Sequence, residues 1–74
     1  MENLRKLRLE RRMSQMQVQK ETGINQGELS KYERGQTRPT MESLLILASY
    51  FHTSLDYLMG LTDERTPYPR KKET

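Results

Sequence analysis

The sequence predicts an all-α, compact five-helix bundle, and three observations carry that expectation. Apolar residues recur at three- and four-residue spacing, with no alternating stretch that would mark a strand. Ser14, Asn25, Thr40 and Ser54 each stand where a side chain can cap the start of such a run. Gly23, Gly35 and Gly60 stand where a run ends, and glycine closes a helix in the left-handed conformation without strain.

The first helix is expected from about Asn3 to Arg12, with Leu4, Leu7, Arg8 and Arg11 on one face. Two apolar residues and two arginines share that face, so at least one arginine needs a buried partner. Ser14 opens the second helix, and Gln17 three residues on completes a capping box. Gly23 ends it. Asn25 caps the third helix, Glu28 stands where a second box would close, and Gly35 stops it.

Residues 36–39 form a loop, since Pro39 disfavours a helix at Arg38. Thr40 caps a fourth helix carrying Met41, Leu44, Leu45, Leu47, Ala48 and Phe51, the most apolar stretch and the expected centre of the core. Ser54 caps a short fifth helix with Leu55, Leu58 and Met59. The helical domain is expected over residues 1–61. Residues 62–74, with Pro67, Pro69 and the run Arg70-Lys71-Lys72, read as an extended, mobile, basic tail.

With 74 residues the chain makes one domain with a thin core. Cysteine is absent, which excludes disulfides, thiolate metal sites and a cysteine nucleophile. One histidine and no cysteine support no transition-metal site, and no cofactor is expected. His52, Ser54 and Asp56 are close in sequence, but a catalytic triad requires convergence in space. No enzymatic activity is expected. No segment has the run of ~20 apolar residues that spans a bilayer, and the N-terminus lacks the apolar core of a secretory signal. A cytoplasmic protein without a membrane partner is the expectation.

Charge is unevenly spread. Residues 1–38 carry nine Lys and Arg against five acids, whereas residues 39–64 carry four acids and no Lys or Arg. A basic half beside an acidic half fits a protein that turns one face to a polyanion. Taken alone, it also fits ordinary solvated helix charge.

The third helix makes the point more specific. With Leu29 on the inner face, a wheel turning about 100° per residue puts Tyr32 and Glu33 inside. Gly27, Ser30, Lys31 and Arg34 fall outside, and Gln26 sits at the N-terminal tip. Gln pairs bidentately with adenine, Lys with guanine O6 and N7, and Ser with either. Gly27 costs up to about 1 kcal/mol of helix propensity and is expected where the backbone approaches a base or a thymine methyl. Arg8 and Glu33 both fall on inner faces, where an unpaired charge is costly. Their pairing would tie the first helix to the third.

From about Leu4 to Met59 the chain resembles the lambda-repressor-like (Cro-type, Xre) helix-turn-helix DNA-binding domains. The matching residues are Ser14-Gln15, Val18, Gly23-Ile24, Leu29-Ser30, Glu33, Gly35, Pro39, Leu44, Ala48 and Ser54-Leu55-Asp56 with Leu58. The resemblance implies a sequence-specific transcriptional regulator, a repressor that binds double-stranded DNA at a palindromic operator as a homodimer. Helices two and three would form the helix-turn-helix. Gln26, Gly27 and Lys31 would read bases, while Gln15, Ser30, Arg34, Thr37 and Arg38 would meet the DNA backbone. It also supports the Arg8–Glu33 pair.

Two residues depart from the family pattern. Gln19 stands where a small residue is usual, and Thr22 where a large apolar one is. Both bring polar atoms to the seam between helices two and three. Glu28 is open to two roles, a cap or an acceptor from a cytosine amino group, and the cap is favoured. Tyr57, Leu58 and Leu61 exceed what a small monomer core needs and are expected at an isologous dimer interface, the alternative being that they close the core. The alternative function is an antitoxin-type or protein-interaction module that uses the same fold to bind a protein partner.

Overall fold

The computed structural model describes residues 1–69, and these hold five α-helices and no strand. They are α1 (Glu2–Glu10), α2 (Gln15–Thr22), α3 (Gln26–Arg34), α4 (Met41–Tyr50) and α5 (Leu55–Leu58). No helix among them is long and apolar enough to cross a membrane. The expected caps form. The Ser14 hydroxyl accepts from the Gln17 amide while the Gln17 side chain accepts from the Ser14 amide. Asn25 accepts from Gly27, Thr40 from Ser43, and Ser54 from Tyr57.

Every helix puts residues into a single core. Leu4 and Leu7 come from α1, Val18 from α2, Leu29 and Tyr32 from α3, Leu47 and Ala48 from α4, and Tyr57 and Leu58 from α5, with Ile24 and Phe51 beside them. The core is thus shared rather than centred on α4, whose Met41 and Leu45 are 62% and 50% exposed. Leu44, Leu47, Ala48 and Phe51 form the inward stripe of that helix. Leu45 lies one residue, about 100°, off it.

The residues expected at a dimer interface divide between that role and the alternative of closing the core. Tyr57 and Leu58 are 3% and 0% exposed within one chain, so they close the core and offer no surface to a partner. Only Leu61, at 70%, lies outside, close in sequence to exposed Met59.

α1 ends at Glu10, two residues earlier than expected, because Arg12 takes the left-handed conformation at φ 55°. The Met13 amide then returns to the Arg8 carbonyl at 3.1 Å. His52, at φ 52°, ends α4 in the same way, with the Thr53 amide bonded to the Ala48 carbonyl. Gly35 and Gly60 allow the equivalent closures after α3 and α5. Four helix ends therefore share one return bond, but two of them place a residue with a Cβ where glycine is unstrained.

α1 is tied to the rest through polar groups as well as leucines. Arg8 Nε and Nη2 donate to the two carboxylate oxygens of Glu33 at 2.8 and 2.9 Å. Their side chains are only 11% and 4% exposed. Arg8 Nη1 also donates to the Met13 carbonyl. Arg11, the other inner-face arginine, is exposed; its guanidinium lies over the Phe51 and Tyr50 rings and donates to the Tyr50 carbonyl. Asn3 donates to the Tyr57 carbonyl at 2.7 Å, joining α1 to α5.

Residues 62–69 are not a free tail. The Arg65 carbonyl accepts from the Ser54 amide and the Thr53 hydroxyl, and the Glu64 carbonyl accepts from the Ser54 hydroxyl. The Arg65 guanidinium pairs with Glu10 through two bonds of 2.8 and 2.7 Å, lies over the Tyr57 ring and donates to its hydroxyl. The Tyr68 hydroxyl donates to Asp56 at 2.6 Å. Thr53 and Ser54 are each 3% exposed, and buried donors of this kind require partners; the segment supplies them. The basic run Arg70-Lys71-Lys72 lies outside the described residues.

Two stability outcomes follow from this packing. Arg8→Ala strands Glu33 and lowers stability by roughly 3 kcal/mol, a fall in Tm of more than about 10 °C by circular dichroism for a domain of this size. An unchanged Tm would contradict the coupling. His52→Gly relieves the left-handed strain at an exposed position and raises stability by about 0.5–1 kcal/mol after the entropy of glycine is counted. A lower Tm for that variant would contradict the assignment of strain.

Candidate nucleic-acid interface

α3 separates into two faces. Leu29, Tyr32 and Glu33 are buried, whereas Lys31 and Arg34 are exposed and Gln26, Gly27 and Ser30 are half-buried. This is the division expected from the wheel. It arises because the inner side of α3 packs on α1 and α2 and leaves Lys31 and Arg34 exposed. Arg34 Nε bonds back to the Ser30 carbonyl at 3.3 Å, so its side chain runs along the helix. Thr37 and Arg38 are exposed in the loop that follows.

The N-terminal tip of α3 is held by two glutamines of α2. Gln26 Nε2 donates to Gln15 Oε1 at 2.7 Å, and the Gln26 amide donates to Gln19 Oε1 at 2.7 Å. Gln15 Nε2 in turn donates to Glu33 Oε1 at 3.2 Å. A continuous chain of hydrogen bonds therefore runs from Arg8 through Glu33 and Gln15 to Gln26. The Glu33 hydrogen bonds hold the Arg8 guanidinium above its ordinary pKa, against the opposing effect of burial, so the chain begins at a fixed positive charge.

The two departures from the family pattern have local reasons. Gln19 satisfies the first amide of α3, an orphan donor at any helix start. The Thr22 hydroxyl donates to the Val18 carbonyl and accepts from the Ile24 amide, which closes the turn between α2 and α3. Polar atoms at the seam thus replace part of the apolar contact. The link through Gln15 and Gln19 was missed in the sequence, although their four-residue spacing puts both on one face of α2, towards the start of α3.

Two expectations about α3 change. No capping box closes through Glu28, since the Asn25 side chain accepts from Gly27 and Glu28 is exposed in the first turn. Gly27 has a reason within the protein: a Cβ there would lie 2.9 Å from Asn25 Oδ1, the capping atom. Room for the cap accounts for glycine at this position.

His52, Ser54 and Asp56 do not assemble for catalysis. The Ser54 hydroxyl is engaged by the Tyr57 amide and the Glu64 carbonyl, Asp56 takes the Tyr68 hydroxyl, and His52 is exposed.

The family model described as helix-turn-helix matches residues 4–58, which covers all five helices from Leu4 onward. An HTH-type transcriptional regulator of Bacillus subtilis (strain 168), YobD, itself uncharacterised, is 32% identical over 71 residues. The alignment takes in 96% of this chain and 63% of that relative, so the chain spans less than two thirds of the relative's length. No solved structure matches the chain. The family match, the five helices and the two-faced third helix agree: the chain belongs to the helix-turn-helix family, in its lambda-repressor-like, Xre-type form.

Proposed function

We propose that this chain is a cytoplasmic, sequence-specific transcriptional repressor that inserts α3 into the major groove of a palindromic operator as a homodimer. The observation that carries the reading is the state of α3. Its inner face is locked by Leu29, Tyr32 and the Glu33 ion pair, while its outer face presents Lys31 and Arg34 to solvent. A polar, partly cationic helix face held this rigidly suits the width of the major groove. Membership of the family and the regulator title of the Bacillus relative support the same reading.

In this reading Gln26, Gly27 and Lys31 face base edges. Lys31 donates to guanine, and Gln26 offers one acceptor and one donor. Gln15, Ser30, Arg34, Thr37 and Arg38 approach phosphates and set register without reading sequence. Repression follows from occupancy, since a dimer seated on a promoter excludes polymerase from the same DNA. The second copy packs against the surface around Leu61 and Met59, which are 70% and 51% exposed, and a two-fold axis there pairs like with like.

Two variants test the division of labour on an operator duplex recovered from random DNA. Lys31→Ala should lose about 1–3 kcal/mol of discrimination at one base position per half-site. Arg38→Ala should weaken all sequences alike and reduce the salt dependence by about one phosphate contact per chain. Identical behaviour of the two variants, by anisotropy titration, would contradict the assignment. Sedimentation should find two chains on one operator duplex, and Leu61→Glu should shift this to one.

A further inference from the structure

We infer that a groove between α4 and the segment 62–69 receives the exposed side of α1 of a second copy, so that copies of this chain join head to tail. The groove is lined by Leu45, Ile46, Leu55, Pro67 and Tyr68, together with Glu21. Leu45 and Tyr68 are 50% and 58% exposed, and Met41, 62% exposed, stands one turn before Leu45 on the same side of α4. Among the described residues the lining has no Lys or Arg, and His52 is its one basic side chain. Its surroundings are acidic: Glu21 lines it, Glu42 is exposed three residues before Leu45, and Asp56 holds the hydroxyl of Tyr68. The function proposed above draws on the basic half of the chain and gives this acidic, apolar face no part.

The complement lies on α1. Leu9 is 50% exposed, and Arg5 and Lys6, exposed four and three residues before it, share its face. Neither makes an ion pair among the described residues. Glu10, the acid beside Leu9, is already held by Arg65. A lone exposed leucine is ordinary. One framed by two cations is an apolar knob with a positive rim, and the groove is an apolar seat with a negative one. Seating Leu9 against Leu45 and Tyr68 takes apolar area of both chains out of water, while Arg5 and Lys6 come to Glu21 and Glu42. Knob and seat are different parts of the chain, so the contact is heterologous, and a joined pair keeps one of each for further neighbours. Lys31, Arg34 and Arg38 belong to neither surface, so the assembly leaves the proposed DNA face open.

Leu9→Gln removes the knob and Leu45→Gln the seat. Both positions are half-exposed, so circular dichroism should show unchanged helix content. Every sample, the parent included, carries Leu61→Glu, which removes association through the dimer surface proposed above and lets the two readings fail separately. By sedimentation equilibrium the parent should self-associate, and less so as salt is raised. Each variant alone should associate about tenfold more weakly, the loss expected for one half-buried leucine. An equimolar mixture of the two should regain the parent's affinity and stop at one pair, because one knob and one seat survive between them. A parent that stays monomeric at every salt and concentration overturns the inference and leaves the groove to residues 70–74 or to another protein. A loss on Leu45→Gln that Leu9→Gln does not share also overturns it, since α4 would then be pairing with itself. A mixture that associates no better than the separate variants has the same consequence.

Discussion

Between α1 and α3 the Arg8 guanidinium meets the Glu33 carboxylate through two short bonds, and both side chains are nearly sealed from water. Neither can be removed without leaving the other charge in a medium that does not solvate it. Such a pair adds little net stability compared with two apolar side chains of similar size. What it adds is geometric. A forked guanidinium accepts a carboxylate in one plane and one register, so α3 has one rotation about its axis relative to α1. That rotation decides which residues of α3 are inside and which face outward. The same carboxylate also reaches Gln15, so the pair that orients the helix is joined to the residues at its tip.

A domain this small has few apolar residues with which to hold five helices. It makes up the difference with polar groups that are paired inside the fold. Among the described residues, every buried side-chain nitrogen and oxygen has a partner. The segment 62–69 belongs to this scheme. It satisfies Thr53 and Ser54 at the start of α5, and Arg65 reaches across to Glu10 at the end of α1. The Glu10 carboxyl is held below its usual range chiefly by that arginine, so this clasp is present at neutral pH and loosens as pH falls through the carboxylate range. Both partners are substantially exposed, and the contact is modest in strength.

Much of this was legible from residue types. Ser14, Asn25, Thr40 and Ser54 announced four helix starts because a capping side chain acts on an amide two or three residues away. The Arg8–Glu33 pair was legible because two charges on inner faces have few ways to be satisfied. The docking of 62–69 was not, because its bonds to the buried Thr53 and Ser54 run through the segment's own carbonyls at Glu64 and Arg65, and a backbone carbonyl has no signature in sequence. Arg12 and His52 were opaque for a related reason: their left-handed conformations are imposed by the return bonds from Met13 and Thr53. Tyr57 and Leu58 looked surplus because apolar content alone does not say how much of it five short helices absorb. At the interface, the two faces of α3 were legible from the wheel. The suspension of Gln26 by Gln15 and Gln19 was not, because it depends on the angle between α2 and α3.

Selection from a random duplex pool tests most directly the claim that the outer face of α3 reads a palindrome. The winner would be titrated against scrambled DNA at several salt concentrations. The account predicts enrichment of an inverted repeat, bound about 10³-fold or more better than scrambled DNA near physiological salt. Absence of enrichment, with all binding lost as salt is raised, would mean that the basic half is a general polyanion surface and would contradict the account.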